Sequence, residues 1–357
     1  MKAMTKKISP SKNKKTPSLQ NGLRYVHPEK LTITRVKVGK NFTYYETDGN
    51  QITDADVLKR IEDLHIPPAY HEVRICPFSN GHLQATGKDE RQRTQYLYHP
   101  EWRTLRDTNK FHRLLKFGQV LPSVRRTVRE QLKLRGSPRK KILATVVSIL
   151  DKTYIRIGNE AYAKANKSYG LTTLHNHHAR VTGDDIEFSF RGKRGIAHTI
   201  KLHDHRLAKI IHNCQELPGY ELFEYKDSRH NIHSIESTDV NDYLKSICRD
   251  DFTAKDFRTW HATVLALKYL LDLSPGQTTT EIKKNIIETI KQVAAQLGNT
   301  PTICKKSYIH PGVLTSYSNN RLAALSKAIN HSKFARLSLT AEEKMTLIFL
   351  EQHDKNI

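Results

Sequence analysis

The chain has 357 residues, of which 59 are Lys or Arg and 36 are Asp or Glu, and its formal net charge at pH 7 is +23. A positive surplus of this size indicates a polyanionic partner, and nucleic acid is the first candidate. A membrane surface is the alternative, but the sequence has no apolar run long enough to span a bilayer and no basic helix with a clean apolar face. We therefore expect a soluble globular protein, long enough for two domains.

Four cysteines, at positions 76, 214, 248 and 304, lie far apart and form no CxxC pair. This spacing supports neither a zinc ribbon nor a disulfide framework, so a reducing, cytoplasmic location is expected. Residues 1–20 are rich in Lys, Ser and Pro and lack the apolar stretch of a signal peptide. We interpret them as a disordered basic arm that attracts phosphate.

Residues 21–100 read as a small β-rich N-terminal domain. LTITRVKV alternates, NFTYYET is aromatic and β-branched, and EVRIC, HLQATG and RTQYLYH follow as further strands. One helix interrupts them at ADVLKRIEDLHI, after Thr53 and Asp54.

Residues 101–345 read as a larger, mostly α-helical domain, followed by a C-terminal tail at 346–357. Helical patterns occur at 101–121, 123–135 and 140–158, separated by LPS and GSPR. The stretch 171–204 breaks this pattern and predicts a three-stranded β insertion with turns at 182–184 and 191–195. The predicted fold class is α+β.

Three histidines lie close together in LHNHHARV. Alternation along a strand would point His178 away from His175 and His177, and no cysteine or carboxylate completes a metal site. A polar strand beside DNA is therefore preferred to a metal site, and no metal or other cofactor is expected.

Several basic residues occupy positions from which they could hold a phosphate. Arg156 follows an apolar helix, where a partner for the helix dipole is the ordinary interpretation. Lys193 lies at the glycine-bounded tip of the hairpin FSFRGKRGIAHTI, where a solvated turn is the ordinary interpretation. Arg258 and His261 lie beside the apolar stripe of the helix that begins at the capping box Thr253–Asp256.

Tyr308 follows two lysines on a short helix that Thr300 and Pro301 are expected to begin, just after Gly298 and Asn299 end the preceding one. A phenol has an ordinary pKa near 10, so it needs neighbouring cations to act as a nucleophile. The alternative is a half-buried tyrosine with a hydrogen-bonded hydroxyl.

In this order the pieces resemble the type IB DNA topoisomerases of the small, poxvirus-like kind. The resemblance runs from about Gly22 to about Leu339. Its motifs are IPPAY at 66–70, GHLQATGKDERQRTQYLYH at 81–99, YIRIGNEAY at 154–162, GLTTLHNHH at 170–178, FRGKRG at 190–195, KDFRTWHA at 255–262 and LGNTPTICKKSY at 297–308.

The resemblance implies a catalytic domain with the tyrosine recombinase and topoisomerase IB fold, and it implies roles for individual residues. Tyr308 would attack a DNA phosphate to form a 3′-phosphotyrosyl link. Arg156 and Arg258 would hold nonbridging oxygens, and Lys193 would protonate the leaving 5′-oxygen. Strand rotation and religation would then relax positive and negative supercoils without ATP or metal.

Asn299 departs from the family pattern, because poxvirus and eukaryotic members carry a histidine there. An amide donates a hydrogen bond to a phosphate oxygen but cannot shuttle protons at neutral pH. The resemblance to bacterial members, which share the asparagine, implies the donor role.

Further contacts with double-stranded DNA are expected outside the catalytic set. The expected DNA-binding residues are Gln95, Tyr96, Tyr98, Lys255 and His261. Core packing is the alternative for the two tyrosines, which alternation places on one face of a strand. The expected assembly is a monomer that closes as a clamp around DNA.

Two other functions remain open on sequence. A tyrosine recombinase uses a similar catalytic set, but it usually has an HxxR signature where this chain has Lys255 to Arg258, and a helical N-terminal domain. A noncatalytic basic DNA-binding protein would account for the charge but not for the ordered motifs.

Overall fold

A computed structural model of the chain describes residues 22–354 except 40, 91, 93, 274 and 275, without the side chains of 103–109, 112 and 161. The expected basic arm at 1–20 lies outside the described residues. The chain divides into two compact units, one up to residue 108 and one from residue 109. No helix in the described part is long and apolar enough to cross a membrane.

The N-terminal unit is built on an antiparallel sheet of five strands in the order β2-β1-β3-β4-β5. The strands are β1 (Ile33–Val38), β2 (Asn41–Tyr45), β3 (His71–Ile75), β4 (Leu83–Lys88) and β5 (Thr94–Tyr98). Helix α1 (Ala55–Asp63) begins at Asp54, whose carboxylate accepts from two backbone N–H groups. Ile61 of this helix is buried with Ile33, Val73 and Ile75 of the sheet. This unit confirms the predicted β-rich domain with one helix.

The boundary between the units lies eight residues after the predicted one. Trp102, in the first turn of the helix that begins at Pro100, packs edge-on against His82 of the N-terminal unit, with ring centroids 4.8 Å apart. The first turns of this helix therefore belong to the β-rich unit.

The C-terminal unit is mostly helical, as predicted. Its helices are α2 (Pro100–Gln131), α3 (Arg139–Thr153), α4 (Glu160–Asn166), α5 (His205–Gln215), α6 (Ser237–Cys248), α7 (Ala254–Asp272), α8 (Thr279–Leu297), α9 (Pro301–Ser307), α10 (Pro311–Ser318), α11 (Leu325–Ala328) and α12 (Ala341–Asp354).

Two expectations about these helices were wrong. LPS does not separate two helices, because α2 continues through Pro122. Leu121 and Val124 are fully buried on either side of this proline, and their packing offsets the backbone hydrogen bond that proline removes. Residues 346–354 are not a tail but part of α12, which buries Leu347 and Leu350 in the core.

The β insertion is confirmed as an antiparallel sheet in the order β6-β7-β8. Its strands are β6 (Ala179–Thr182), β7 (Asp185–Arg191) and β8 (Ala197–His203), and a separate hairpin pairs β9 (Glu224–Lys226) with β10 (Ile232–Ser234). Phe188 and Phe190 are buried on one face of β7, and the 3₁₀ turn Lys193–Gly195 links β7 to β8.

We predict that Gly118→Ala lowers the free energy of unfolding. A Cβ at residue 118 in α2 would lie 2.5 Å from Cζ3 of Trp260 and 2.7 Å from Cδ2 of Leu347, both fully buried. Overpacking of this kind costs about 1–3 kcal/mol or more, which exceeds the roughly 1 kcal/mol that alanine gains over glycine in a helix. Urea unfolding followed by tryptophan fluorescence measures the change.

The matched control is Gln119→Ala, which changes an exposed side chain on the same helix. It is expected to leave the free energy of unfolding within about 0.5 kcal/mol of wild type. Equal stability of Gly118→Ala and wild type would contradict the close contact of α2 with α7 and α12.

Candidate active site

Tyr308 lies at the end of α9, beyond a tight joint between two helices. Gly298 ends α8 with φ 58° and ψ 47°, a left-handed conformation that glycine adopts without steric cost. Thr300 caps α9 through its hydroxyl, and Pro301 occupies the first turn. The predicted helix start is confirmed.

The main chain around Tyr308 is fastened to α7. The hydroxyl of Thr263, a fully buried residue of α7, accepts from the N–H of His310 at 3.2 Å. Its single proton is shared between the carbonyls of Thr259 at 2.9 Å and Tyr308 at 3.3 Å. Because α7 also carries Arg258, the nucleophile candidate and this arginine are held in one frame.

Arg258 is a buried cation, only 4 % exposed, with fixed partners. Its Nη1 donates to the carbonyl of Tyr154 and its Nη2 donates to the carbonyl of Leu297 at 2.8 Å. Its Cζ lies 5.2 Å from the ring centroid of Tyr308. These carbonyls end α3 and α8, so the guanidinium links the ends of two helices while it faces the phenol.

Arg156 reaches the same place from a short extended segment that follows α3. Its carbonyl accepts from the N–H of Leu171 at 2.9 Å, which fixes the segment against the next turn. Its Nη2 donates to the carbonyl of Gly298 at 3.1 Å and to the side-chain oxygen of Asn299. Asn299 therefore orients Arg156, a role that the sequence did not reveal.

These side chains surround a cleft of about 300 Å³. Lys193 of the β7–β8 turn and Lys255 of α7 lie on its wall, and both side chains are exposed. A second, smaller pocket adds Asn299 and Arg194 to Arg156, Lys193 and Tyr308. The cleft is lined by Arg156, Ile157, Gly158, Asn159, Tyr162, Ser168, Tyr169, Lys193, Ala254, Lys255, Arg258 and Tyr308.

The cations change the acidity of the phenol. Burial by itself would raise the pKa of Tyr308, but Arg258, Arg156 and Lys255 outweigh burial and bring the pKa below its ordinary value near 10. Burial, followed by repulsion from Arg258, lowers the pKa of Arg156 to about 10, so Arg156 keeps its charge at neutral pH.

This arrangement suits a phosphodiester. Two guanidinium groups and two ammonium groups converge on one small cleft, where an anionic phosphate would offset their mutual repulsion. The Nε of Arg258 and the Nδ2 of Asn299 are buried donors without a partner among the described residues. Each can therefore donate a hydrogen bond to a bound phosphate.

Two residues at the site were not singled out from the sequence. His198 of β8 packs against Gly298, and burial, with Arg156 and Arg258 nearby, lowers its pKa. Lys110 of α2 donates to the carbonyl of Ser307, and its Nζ lies 5.9 Å from the ring centroid of Tyr308. Only tertiary packing brings these residues to the site, and no local pattern marks them.

His261 does not occupy the DNA-facing position that was expected. It is 6 % exposed, and its Nε2 donates to Oδ1 of Asp151 at 2.9 Å. The apolar stripe of α7 is wider than the sequence interpretation allowed, because other elements cover the neighbouring face as well. Arg258 and His261 are both inside the unit for this reason.

The expected orientation of His178 was also wrong. Residues 176–178 form a 3₁₀ turn and not a strand, and the ligand atoms of His175, His177 and His178 lie within 4.8 Å of one another. However, Nδ1 of His178 accepts from the N–H of His175 at 2.9 Å, so the neutral ring carries its proton on Nε2. A metal ion on Nε2 would require the opposite tautomer and the loss of this bond, so the three rings fit a metal poorly.

The N-terminal unit places the other expected DNA contacts on β5. Tyr96 and Tyr98 share a face, with their rings stacked at 6.3 Å, and Tyr96 is 47 % exposed. Gln95 on the opposite face donates to the carboxylate of Asp89 at 3.0 Å. The exposed ring of Tyr96 is available to a partner, and the DNA contacts of all three residues stay predictions.

Comparison with known proteins adds family matches to this geometry. The catalytic core of eukaryotic DNA topoisomerase I matches residues 99–335, and the N-terminal domain of bacterial DNA topoisomerase IB matches residues 41–89. The DNA topoisomerase 1B of Acanthamoeba polyphaga mimivirus is 30% identical over 295 residues, which cover 81% of this chain and 88% of the relative.

A poxvirus relative is more distant but similar in extent. The DNA topoisomerase 1B of vaccinia virus (strain Copenhagen) is 24% identical over 283 residues, which cover 75% of this chain and 87% of the relative. The first family match alone spans more than half of the chain and includes every residue around the cleft. The chain therefore belongs to the type IB DNA topoisomerases, in their small, poxvirus-like form.

Proposed function

We propose that this DNA topoisomerase relaxes positive and negative supercoils without ATP or metal, through transient cleavage of one strand. The observation that carries the proposal is the convergence of Tyr308, Arg156, Arg258 and Lys193 on one cleft of about 300 Å³. A phenol with a lowered pKa lies beside the cations that would hold its target.

In the cleavage step, the Tyr308 oxygen attacks the phosphorus and forms a 3′-phosphotyrosyl ester. The bond from phosphorus to the 5′-oxygen breaks, and Lys193 gives that oxygen a proton, while the phenolic proton passes to water. Arg156 and Arg258 hold the nonbridging oxygens, on which charge develops in the transition state. Asn299 holds Arg156 and donates to the phosphate through Nδ2.

Religation reverses these steps. The phosphotyrosyl ester replaces one phosphate ester by another, so the energy of the broken bond is kept and no nucleotide is consumed. The 5′-hydroxyl strand rotates before it attacks the ester, and rotation in either sense removes torsion. This symmetry is why we propose relaxation of both signs of supercoil.

We further propose that a monomer closes around duplex DNA. The formal net charge of +23 favours a partner with many phosphates. In the N-terminal unit, the exposed ring of Tyr96 offers an aromatic contact beyond the cleft. That unit is a five-stranded sheet rather than the helical domain expected of a tyrosine recombinase, which favours the topoisomerase reaction over recombination.

We predict that the wild type relaxes both positively and negatively supercoiled plasmid in EDTA without ATP, and that Tyr308→Phe relaxes neither. The variant lacks only the oxygen that attacks phosphorus, so DNA binding, measured by gel shift, should be retained. Agarose gels of topoisomers give the readout. A wild type that binds but relaxes neither plasmid would contradict the proposed reaction.

We predict a bell-shaped pH profile for the second-order rate constant of cleavage of a short duplex, measured at DNA concentrations far below saturation so that it reports the pKa values of the DNA-free protein. The rate rises with pH as the phenol ionises, with an apparent pKa below 10, and falls near pH 10 as Arg156 loses its proton. Lys255→Met removes a cation that lowers the pKa of Tyr308, so the rising limb should move to higher pH.

The matched control for the pH profile is Lys305→Met. Lys305 is exposed on α9 and lines a groove that does not include the phenol. After scaling to the same maximum, its profile should overlay that of wild type. Equal shifts in both variants would mean that the limb reports general surface charge and not the charge beside Tyr308.

We predict that Lys193→Ala slows cleavage by about 10²- to 10⁴-fold, the usual contribution of a general acid. In a substrate with sulfur in place of the 5′-bridging oxygen, the leaving group is a thiolate, which departs readily without a proton. This substrate should therefore restore most of the rate to Lys193→Ala. Arg194→Ala, on the same turn, serves as control and should not show selective rescue by sulfur. Failure of the sulfur substrate to rescue Lys193→Ala would assign the lysine a role other than proton donor.

A further inference from the structure

We propose that His261 is a positioning residue for DNA cleavage. It holds Tyr154 in the conformation in which the Tyr154 carbonyl fixes Arg258 toward the scissile phosphate. The inference rests on the proposed cleavage reaction, and it assigns a role to a buried histidine that touches neither DNA nor the nucleophile.

The histidine is itself firmly held. It lies one helical turn after Arg258 on α7, and its Nε2 donates to Oδ1 of Asp151 at 2.9 Å. Asp151 also accepts from Nε and Nη2 of Arg125 at 2.7 and 2.9 Å. Arg125 in turn pairs with Glu343 of α12 at 2.8 and 2.9 Å.

This network fixes the charge of Asp151. Burial would raise the pKa of the Asp151 carboxyl, but its bonds to His261 and Arg125 keep the pKa well below its ordinary value. Asp151 is therefore an ionised acceptor at neutral pH, and it holds the Nε2–H of His261 in one orientation.

The face of the His261 ring that this bond orients meets Tyr154. The two ring centroids are 4.7 Å apart and the rings are tilted by 41°. Tyr154 is the left-handed residue that ends α3, with φ 60° and ψ 12°. This conformation is unfavourable for a tyrosine, so it persists only where neighbours hold it. The His261 ring is one of those neighbours.

The conformation of Tyr154 determines where both arginines lie. Its carbonyl accepts from Nη1 of Arg258. Arg156 follows only two residues later, in the segment that pairs with Leu171 and Thr172. If Tyr154 turned out of the left-handed region, its carbonyl would leave Arg258 and the start of the Arg156 segment would move. Displacements of about 1 Å in such groups slow catalysis by up to about 100-fold.

The experiment is a double-mutant cycle on single-turnover cleavage at saturating DNA, with His261→Ala, Tyr154→Gly and the double variant. Glycine keeps the carbonyl but removes the ring, and it occupies the left-handed region only as one of several accessible conformations, so each single variant breaks the same contact and frees residue 154. Each is expected to cleave about 10- to 100-fold more slowly than wild type. The double variant is expected to match the slower single variant, because coupled residues are not additive. Multiplication of the two effects would overturn the proposal.

Two further readouts separate positioning from mere stability. Phosphorothioate substitution of one nonbridging oxygen probes the Arg258 contact, and the rate loss that it causes is expected to shrink in both His261→Ala and Arg258→Ala. A thio effect of wild-type size in His261→Ala would overturn the proposal. Tyr243→Phe, which removes the 2.9 Å hydrogen bond from α6 to Gln131 of α2 and lies outside both the cleft and the Asp151 network, is the control for stability: it should lower the melting temperature but keep the cleavage rate within about threefold of wild type.

The outcomes distinguish the two proposals. Absence of cleavage by the wild type contradicts the proposed function. Cleavage by the wild type with an unchanged rate in both His261→Ala and Tyr154→Gly contradicts only the positioning role. If His261→Ala does not fold, the rate and thio effect of Tyr154→Gly still decide the matter.

Discussion

The buried guanidinium of Arg258 is the constraint on which the rest of the site depends. A cation with 4 % exposure needs partners that stay in place, and it takes them from the ends of two helices, at Tyr154 and Leu297. Neither carbonyl is available unless α3 and α8 end where they do. The helix ends, the left-handed caps and the packing of α7 between them thus all serve one side chain.

A second, half-buried arginine supports the first through the core network. Arg125 donates hydrogen bonds to two carboxylates, those of Asp151 in α3 and Glu343 in α12. The indole of Trp260 also donates to Glu343, at 3.3 Å. Breaking one member would leave an unpaired charge in the core, so the network locks α2, α3, α7 and α12 together. The last helix of the chain is therefore part of the support for the site, although it lines no part of the cleft.

Local signals predicted much of the fold and of the site. Gly298 and Thr300 specify a helix end and a helix start by backbone chemistry alone, so the placement of Tyr308 on a short helix followed from the sequence. The resemblance to a known family brought Arg156, Lys193 and Arg258 together. Residues whose roles depend on tertiary burial were placed wrongly: His261 looked polar and exposed, His178 was read on a strand that is a turn, and Pro122 looked like a helix end. Periodicity reports one apolar face, and it cannot show that a second face is also covered.

The fastening of Tyr308 to Thr263 has a consequence for the intermediate of the proposed reaction. A main chain bonded to a core helix directly after the nucleophile restrains the tyrosine from moving away with the DNA end that it carries. The 3′ end of the nicked strand would stay fixed to the protein, and only rotation of the 5′-hydroxyl end would relieve torsion. The number of turns lost per event would then depend on two quantities. One is the rate of strand rotation, which torque drives and friction slows, and the other is the lifetime of the phosphotyrosyl ester. No ratchet or powered movement of the protein would set the number of turns.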